Sequence, residues 1–110
     1  MYGHDISYEL DGQKFIWDSE KADSNVVKHG IAFEEAASVF IFDNVIYFED
    51  ISHSKDENRF IAIGMSEKVR MLMVCHCLRE NDEVVRIISA RRATYSEKQT
   101  WKEENENHAR

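Results

Sequence analysis

The stretch VVRIISARRATYSE, residues 84–97, combines a strand pattern with the start of a helix. Its first part, residues 84–88, is rich in β-branched residues, which favour strands inside a sheet. Thr94 and Glu97 have capping-box spacing, in which each side chain satisfies a backbone donor at a helix start. We therefore predict a strand over residues 84–91 that leads into a last helix.

Three more apolar runs precede this strand, and turn-like stretches separate them. They cover residues 45–48, 59–63 and 69–78. Short connections favour antiparallel neighbours, so the second half of the chain predicts a four-stranded meander.

The first third of the chain predicts a hairpin and a helix. Asp11-Gly12 separates two apolar runs, which is a hairpin signal and indicates an extra N-terminal strand. Asp18 can cap a helix that ends near Lys28. Ala22 and Val26, one helical turn apart, are expected to face the core.

A second helix begins at Phe33, where apolar residues follow the i, i+3, i+4, i+7 stripe of a helix with one buried face. The whole order is strand, helix, helix, four strands, helix. This order predicts an α+β fold, a mostly antiparallel sheet with helices packed on one face and the other face partly open.

Length and composition limit the class of protein. With 110 residues and 43% hydrophobic residues, the chain matches a single domain over residues 1–110. No segment approaches the roughly 20 apolar residues of a membrane span, and the N-terminus lacks a secretory pattern. We expect a cytoplasmic protein with no membrane partner.

The formal net charge of −7 argues against a nucleic-acid ligand, but the charge is unevenly distributed. Residues 1–58 carry four Lys/Arg against thirteen Asp/Glu, whereas residues 59–92 carry seven against four, and six of those seven are arginine. Arginine offers a fixed fork of donors that fits phosphate or carboxylate. Ion pairs with the acidic first half explain the arginines equally well.

Cys75-His76-Cys77 invites a zinc interpretation. On a strand, however, the two cysteines face one side and His76 the other, and no second Cys/His pair has ligand spacing. We expect reduced, core-packed thiols and neither a metal site nor a cofactor.

Lys28-His29-Gly30 has the composition of a helix C-cap, with cations near the carboxyl end and a glycine that turns the chain. A functional alternative places Lys28 or His29 at the rim of the open sheet face, as a proton-transfer group or a phosphate contact. His76 has a core-packed and a functional interpretation in the same way.

Arginine positions along the last strand pose a geometric problem. In a regular strand Arg86 and Arg91 point to opposite faces, so the two cannot reach one ligand. Only a bulge or the strand end would make them converge.

Several blocks follow one another along the chain: Phe15-Ile16-Trp17-Asp18, Lys28-His29-Gly30, Phe33-Glu34-Glu35-Ala36, His53-Ser54, Glu57-Asn58-Arg59-Phe60, Val74-Cys75-His76 with Arg79, and Arg86 to Thr94. In this order they resemble the BrnT family of toxins. The resemblance implies a RelE-like fold and a type II toxin–antitoxin toxin that acts as a ribonuclease. It further implies metal-independent cleavage of RNA by the 2′-hydroxyl, and inhibition of translation and growth.

The resemblance also implies partners. A BrnA-like antitoxin would neutralise the toxin, a heterotetramer being one form of the complex, and DNA would be reached only through the antitoxin. The alternative is a catalytically degenerate toxin-like module that binds an antitoxin and takes part in transcriptional autorepression.

Carried over residue by residue, the resemblance assigns three groups of side chains. Lys28, Arg59 and Arg79 become the catalytic set, with the two arginines on the phosphate. Arg86, Arg91 and Arg92 become RNA contacts, unless they orient the active groups or pair with antitoxin carboxylates. His29 and His76 are the reserve acid–base candidates.

Overall fold

A computed structural model describes residues 3–51 and 58–108 of the chain. The turn predicted before the second strand of the meander, which includes His53, lies mostly outside these residues. The elements are β1 (Asp5–Leu10), β2 (Gln13–Asp18), α1 (Ser19–His29), α2 (Phe33–Ser38), a 3-10 turn (Val39–Ile41), β3 (Ile46–Glu49), β4 (Arg59–Met65), β5 (Met71–Arg79), β6 (Val84–Arg92) and α3 (Tyr95–His108).

The six strands form one sheet in the order β1-β2-β6-β5-β4-β3. The meander β3 to β6 is antiparallel throughout, and so is the β1–β2 hairpin, which confirms the predicted fold class. The hairpin turn places Asp11 at φ 53° and Gly12 at φ 84°. Both angles lie in the left-handed region that a two-residue hairpin turn requires.

The sequence pattern did not indicate the pairing of β2 with β6, which is parallel. It joins the N-terminal hairpin to the meander and makes β6 a central strand. Only Lys14 to Ile16 pair with β6, so among the described residues no strand lies beside the rest of that β6 edge.

Helices α1 and α2 cover one face of the sheet. The buried core there includes Phe15, Trp17, Phe33, Leu72 and Ile87. Phe33 is fully buried and packs its ring edge-on to Trp17, with the ring centroids 5.8 Å apart. Aromatic pairs in this arrangement stabilise a core beyond the area they bury.

Helix α1 begins and ends as predicted but turns a different residue inward. Asp18 accepts from the Lys21 amide at 2.9 Å, and Gly30 closes the helix at φ 70°. Val26 is 49% exposed, so the expectation that it faces the core is wrong. Asn25 is buried instead, because its amide group binds both backbone groups of Ala90 on the β6 edge that β2 leaves unpaired.

Helix α3 starts with the predicted capping box. The Thr94 amide donates to Glu97 Oε1 at 2.8 Å, and the Glu97 amide donates to Thr94 Oγ1 at 3.2 Å. Further along, the Trp101 indole donates to the Asn44 carbonyl at 2.8 Å and fixes α3 beside β3. Within residues 3–51 and 58–108, no helix is long and apolar enough to cross a membrane.

Candidate functional site

The face opposite α1 and α2, here called the open face, carries most of the arginines of the sheet. Because cross-strand partners share a face, the register places Arg59, Cys77 and Arg86 side by side across β4, β5 and β6. Arg79 lies two positions beyond Cys77 on β5 and therefore shares this face. Arg59, Arg79 and Arg86 are named the arginine cluster below.

A β-bulge decides which residues of β6 reach the open face. Cys75 pairs with Ser89 and His76 pairs with Ile87, so Ile88 is the extra residue. The bulge shifts the alternation by one position and brings Arg91 to the same face as Arg86. Arg92, the next residue, consequently lies on the opposite side, and it is exposed.

Arg79 is held close to the strand that carries it. Its Nη1 lies 3.0 Å from the Cys77 Sγ and donates to the Leu78 carbonyl at 3.3 Å. Arg59 is half-buried on β4, and its carbonyl accepts from the Asp50 amide at 2.8 Å. The Arg79 guanidinium is thus restrained by its own strand, which favours binding of an anion at a fixed position.

Cys75 lies on the open face beside this cluster and is buried. Burial raises the pKa of the Cys75 thiol, the Asp50 carboxylate raises it further, and the Arg59 guanidinium opposes the shift. A raised pKa keeps Cys75 as a neutral thiol at pH 7, so it is unsuited to act as a nucleophile. Cys77, the next cysteine on this face, is also buried.

Two arginines on the open face, Arg86 of the cluster and Arg91, are already paired with carboxylates. Arg86 lies 3.1 Å from Asp5, a carboxylate that is 53% exposed. Arg91 makes a two-pronged contact with Glu97 at 2.9 and 2.8 Å, which raises the pKa of Arg91. Arg91 therefore anchors the start of α3, whereas the exposed Arg86 pair can exchange for another anion at little cost.

Lys28 and His29 are not brought to the arginine cluster. They are exposed at the end of α1, and α1 packs on β2 and β6 from the covered side. Arg59 and Arg79 belong to the other side of β4 and β5, although Arg79, the last residue of β5, also lines a cavity with Phe60 and Leu78 of the covered face. The structure thus brings together two of the three side chains expected to be catalytic.

His76 is 2% exposed on the covered face. Burial lowers the pKa of His76 to about 4, and the hydrogen bond with the Val74 carbonyl only partly offsets this. The imidazole is therefore neutral at pH 7. It packs edge-on against Phe40, with the ring centroids 4.8 Å apart.

Sequence reasoning missed Lys14 as a member of the open face. Lys14 pairs with Val84, which in turn pairs with Arg79, so the lysine lies two strands from Arg79 in the same row. No sequence pattern indicated this position, because Lys14 lies in the same row as Arg79 only through the parallel pairing of β2 with β6.

The covered face of the sheet packs under α1 and α2, and the open face carries arginine side chains from neighbouring strands. These features define a small α+β domain suited to an extended phosphate-bearing ligand. A family model described as "Ribonuclease toxin, BrnT, of type II toxin-antitoxin system" matches residues 17–97. The chain therefore belongs to the BrnT family of ribonuclease toxins, and its membership of a type II system implies an antitoxin partner.

A solved relative supports this assignment. The chain is similar to the Brucella abortus ribonuclease toxin BrnT, known from a 1.1 Å crystal structure, with a TM-score of 0.54 and 25% sequence identity. The match covers 71% of this chain and 92% of the Brucella chain. No curated protein matches the sequence.

Proposed function

We propose that this chain cleaves RNA without a metal ion, by attack of a 2′-hydroxyl on the adjacent phosphate. Cleavage would inhibit translation and growth until a BrnA-like antitoxin covers the site. The observation that carries the proposal is the arginine cluster, which places Arg59 and Arg79 on one face of neighbouring strands.

RNA cleavage of this kind requires positive charge beside the phosphate that is attacked, and the arginine cluster can supply it. During attack by the 2′-hydroxyl, negative charge builds up on the non-bridging oxygens of the phosphate. Fixed donors aimed at developing charge stabilise it without reorganisation, and removal of one such donor typically costs about 10²- to 10³-fold in rate. We assign this role to Arg59 and Arg79.

Arg86 and Lys14 extend the cationic surface in the direction of β2. They would bind neighbouring phosphates of the RNA backbone, which adds affinity that depends on salt. Asp5 competes for Arg86 at 3.1 Å, so this contact forms by exchange of one anion for another.

Single substitutions in the full chain test the proposal. Arg59→Ala and Arg79→Ala should each lower the rate of RNA cleavage about 10²-fold or more in buffer with a metal chelator. Circular dichroism and the unfolding midpoint confirm that the variants fold. Growth after induction in cells without antitoxin gives a second readout.

Lys28→Ala is the matched comparison, because it removes a cation from the covered side. It should leave cleavage within about twofold, since Lys28 does not lie with the cluster. A rate that collapses in Lys28→Ala but persists in both arginine variants would overturn the assignment. Cleavage that requires an added divalent cation would overturn the metal-free mechanism.

A second candidate is a degenerate module that binds an antitoxin and joins a repressing complex. The observation in its favour is that Arg86 and Arg91 already hold carboxylates of this chain. An antitoxin carboxylate could replace Asp5 in the same way that a phosphate would. Normal antitoxin binding by folded protein that cleaves no RNA, even at high concentration, would favour this candidate.

A further inference from the structure

A cavity of about 380 Å³ opens on the covered face, between the 3-10 turn and the strands β3, β4 and β5. Its walls include Phe40, Tyr47, Phe60 and His76. The Tyr47 and Phe60 rings lie 6.1 and 6.0 Å from the His76 ring, measured between centroids. This volume falls in the range of small-molecule sites, and flat aromatic walls favour a flat ligand.

A second cavity of about 360 Å³, lined by Asn58 and Arg79, adjoins the first. The two share Phe60, Leu78 and Asp82 as lining residues. A ligand with a flat ring in the first cavity and a phosphate group beside it would therefore reach Arg79. A nucleotide unit of RNA has this shape.

The polar groups of the aromatic cavity are hydrogen-bond acceptors. A carbonyl oxygen can only accept, so the 3.3 Å contact between His76 Nδ1 and the Val74 carbonyl fixes the proton on Nδ1. His76 Nε2 then carries a lone pair. Gln13 Nε2 donates to the Lys14 and Glu83 carbonyls, both at 3.0 Å, which leaves its oxygen to accept.

Asp82 adds a carboxylate at the junction of the two cavities. It belongs to the turn between β5 and β6, where Glu80, Asn81 and Asp82 have φ values of 52°, 58° and 69°. Asn and Asp adopt this left-handed conformation more readily than other residues with a side chain, and it places Asp82 at the tip of the turn.

We propose that the aromatic cavity binds a guanine base of the RNA strand, with the ring stacked on Tyr47 and its N1–H and 2-amino protons donated to Asp82. Guanine presents these two donors on one edge, whereas uracil presents a single ring N–H between two carbonyls. The proposal rests on the proposed ribonuclease function and names the base that the enzyme selects beside the scissile phosphate.

Binding of short RNA strands that cannot be cleaved tests the cavity apart from catalysis. The probes are 2′-O-methyl oligouridylates with one guanosine or, instead, one inosine, which lacks the 2-amino group. The full chain should bind the guanosine strand about tenfold more tightly than the inosine strand, as expected for one lost bidentate contact. Asp82→Asn should reduce this ratio to about twofold or less.

Glu80→Gln is the matched control, because it removes the same charge from the same turn at a residue outside both cavities. Glu80→Gln should keep the tenfold ratio between the affinities for the guanosine and inosine strands. Equal binding of the two strands by the unsubstituted chain would overturn the proposal, and so would an unchanged ratio in Asp82→Asn. Equal affinity for free guanosine monophosphate would assign the cavity to a nucleotide and overturn its role in RNA binding.

Cleavable versions of the same strands separate the two proposals. Guanine discrimination in binding without any cleavage would overturn the ribonuclease function and leave the base site standing. Cleavage at equal rates beside guanosine and inosine would overturn the base site and leave the ribonuclease function standing. Tyr47→Leu, at a 53% exposed position, should weaken binding of the guanosine strand on the order of tenfold through lost stacking.

Discussion

The two faces of the sheet use polar side chains in opposite ways. On the covered face, two buried polar groups tie one element to another: Asn25 joins α1 to β6, and Glu35 joins α2 to Arg70 before β5. On the open face, Arg59, Arg79 and Arg86 are only partly buried, and the Asp5 partner of Arg86 is largely exposed.

On the proposal that the open face binds RNA, this difference separates stability from function within one sheet. Buried hydrogen bonds are costly to break, because the remaining partner stays desolvated. Exposed ion pairs contribute about 0–1 kcal/mol and exchange readily with other anions. We therefore expect substitutions beneath α1 and α2 to change the free energy of unfolding, and substitutions in the arginine cluster to change RNA binding.

The largest effect should come from a pair of matched phenylalanines. Phe33→Ala, at a fully buried position under the helices, should lower the free energy of unfolding by about 3–5 kcal/mol. Phe48→Ala, at a 39% exposed position on the open face, should cost about 1 kcal/mol or less. Denaturant unfolding measures both, and similar losses would break the distinction between the faces.

Glu35 should make stability depend on pH. Burial alone would raise the pKa of Glu35, but hydrogen bonds from Arg70 and Ser66 outweigh it and hold the pKa below the ordinary value. The stabilisation is therefore complete above the unfolded pKa, about 4.3, and is lost as the pH falls through the folded pKa.

Glu35→Gln should cost about 2 kcal/mol at pH 7 and reduce the acid dependence. Glu34→Gln, an exposed neighbour in the same helical turn, is the control and should stay within about 0.5 kcal/mol at all pH values. Unfolding curves between pH 3 and 7 give the measurement. An equally steep acid loss in Glu35→Gln would show that another carboxyl group is responsible.

The capping box of α3 should contribute less. Thr94→Ala removes the hydroxyl that accepts from the Glu97 amide and should cost about 1 kcal/mol in denaturant unfolding. Ser96→Ala, also exposed in the first turn, serves as the control. Cleavage by Thr94→Ala should remain unchanged, and a large loss of cleavage would mean that α3 takes part in the site.

The smallest effect should follow the release of Arg86. Asp5→Asn should change the free energy of unfolding by less than about 0.5 kcal/mol. RNA affinity should rise by about threefold at low salt and less at high salt, because one more cation becomes available. Asp11→Asn makes the same charge change in the hairpin turn, so an equal gain there would indicate a general charge effect.

Local signals predicted much of the fold because they involve neighbouring residues. The Asp11-Gly12 turn, the Asp18 cap and the Thr94–Glu97 capping box all form as expected. The apolar stripe from Phe33 also marked its helix, although the α-helix ends at Ser38 and a 3-10 turn follows. Each of these signals is decided within a few residues of chain.

The site could be predicted only in part, because its geometry depends on distant pairings. Arginine enrichment indicated an anion-binding surface, but strand alternation alone placed Arg86 and Arg91 on opposite faces. The bulge at Ile88 brings both arginines to the same face, and no residue type near Ile88 indicates a bulge. The separation of Lys28 from Arg59 likewise follows from which face α1 covers.

The parallel pairing of β2 with β6 has a consequence for the cell that makes this protein. Gln13 in β2 donates to the Glu83 carbonyl across 70 positions of sequence. Chains emerge from the ribosome N-terminus first. The edge of β2 that faces away from β1 can therefore pair only after β6 has been synthesised. The surface that would attack RNA is therefore completed only after β6 has been synthesised, and chains that stop before β6 should be harmless to the ribosome that produces them.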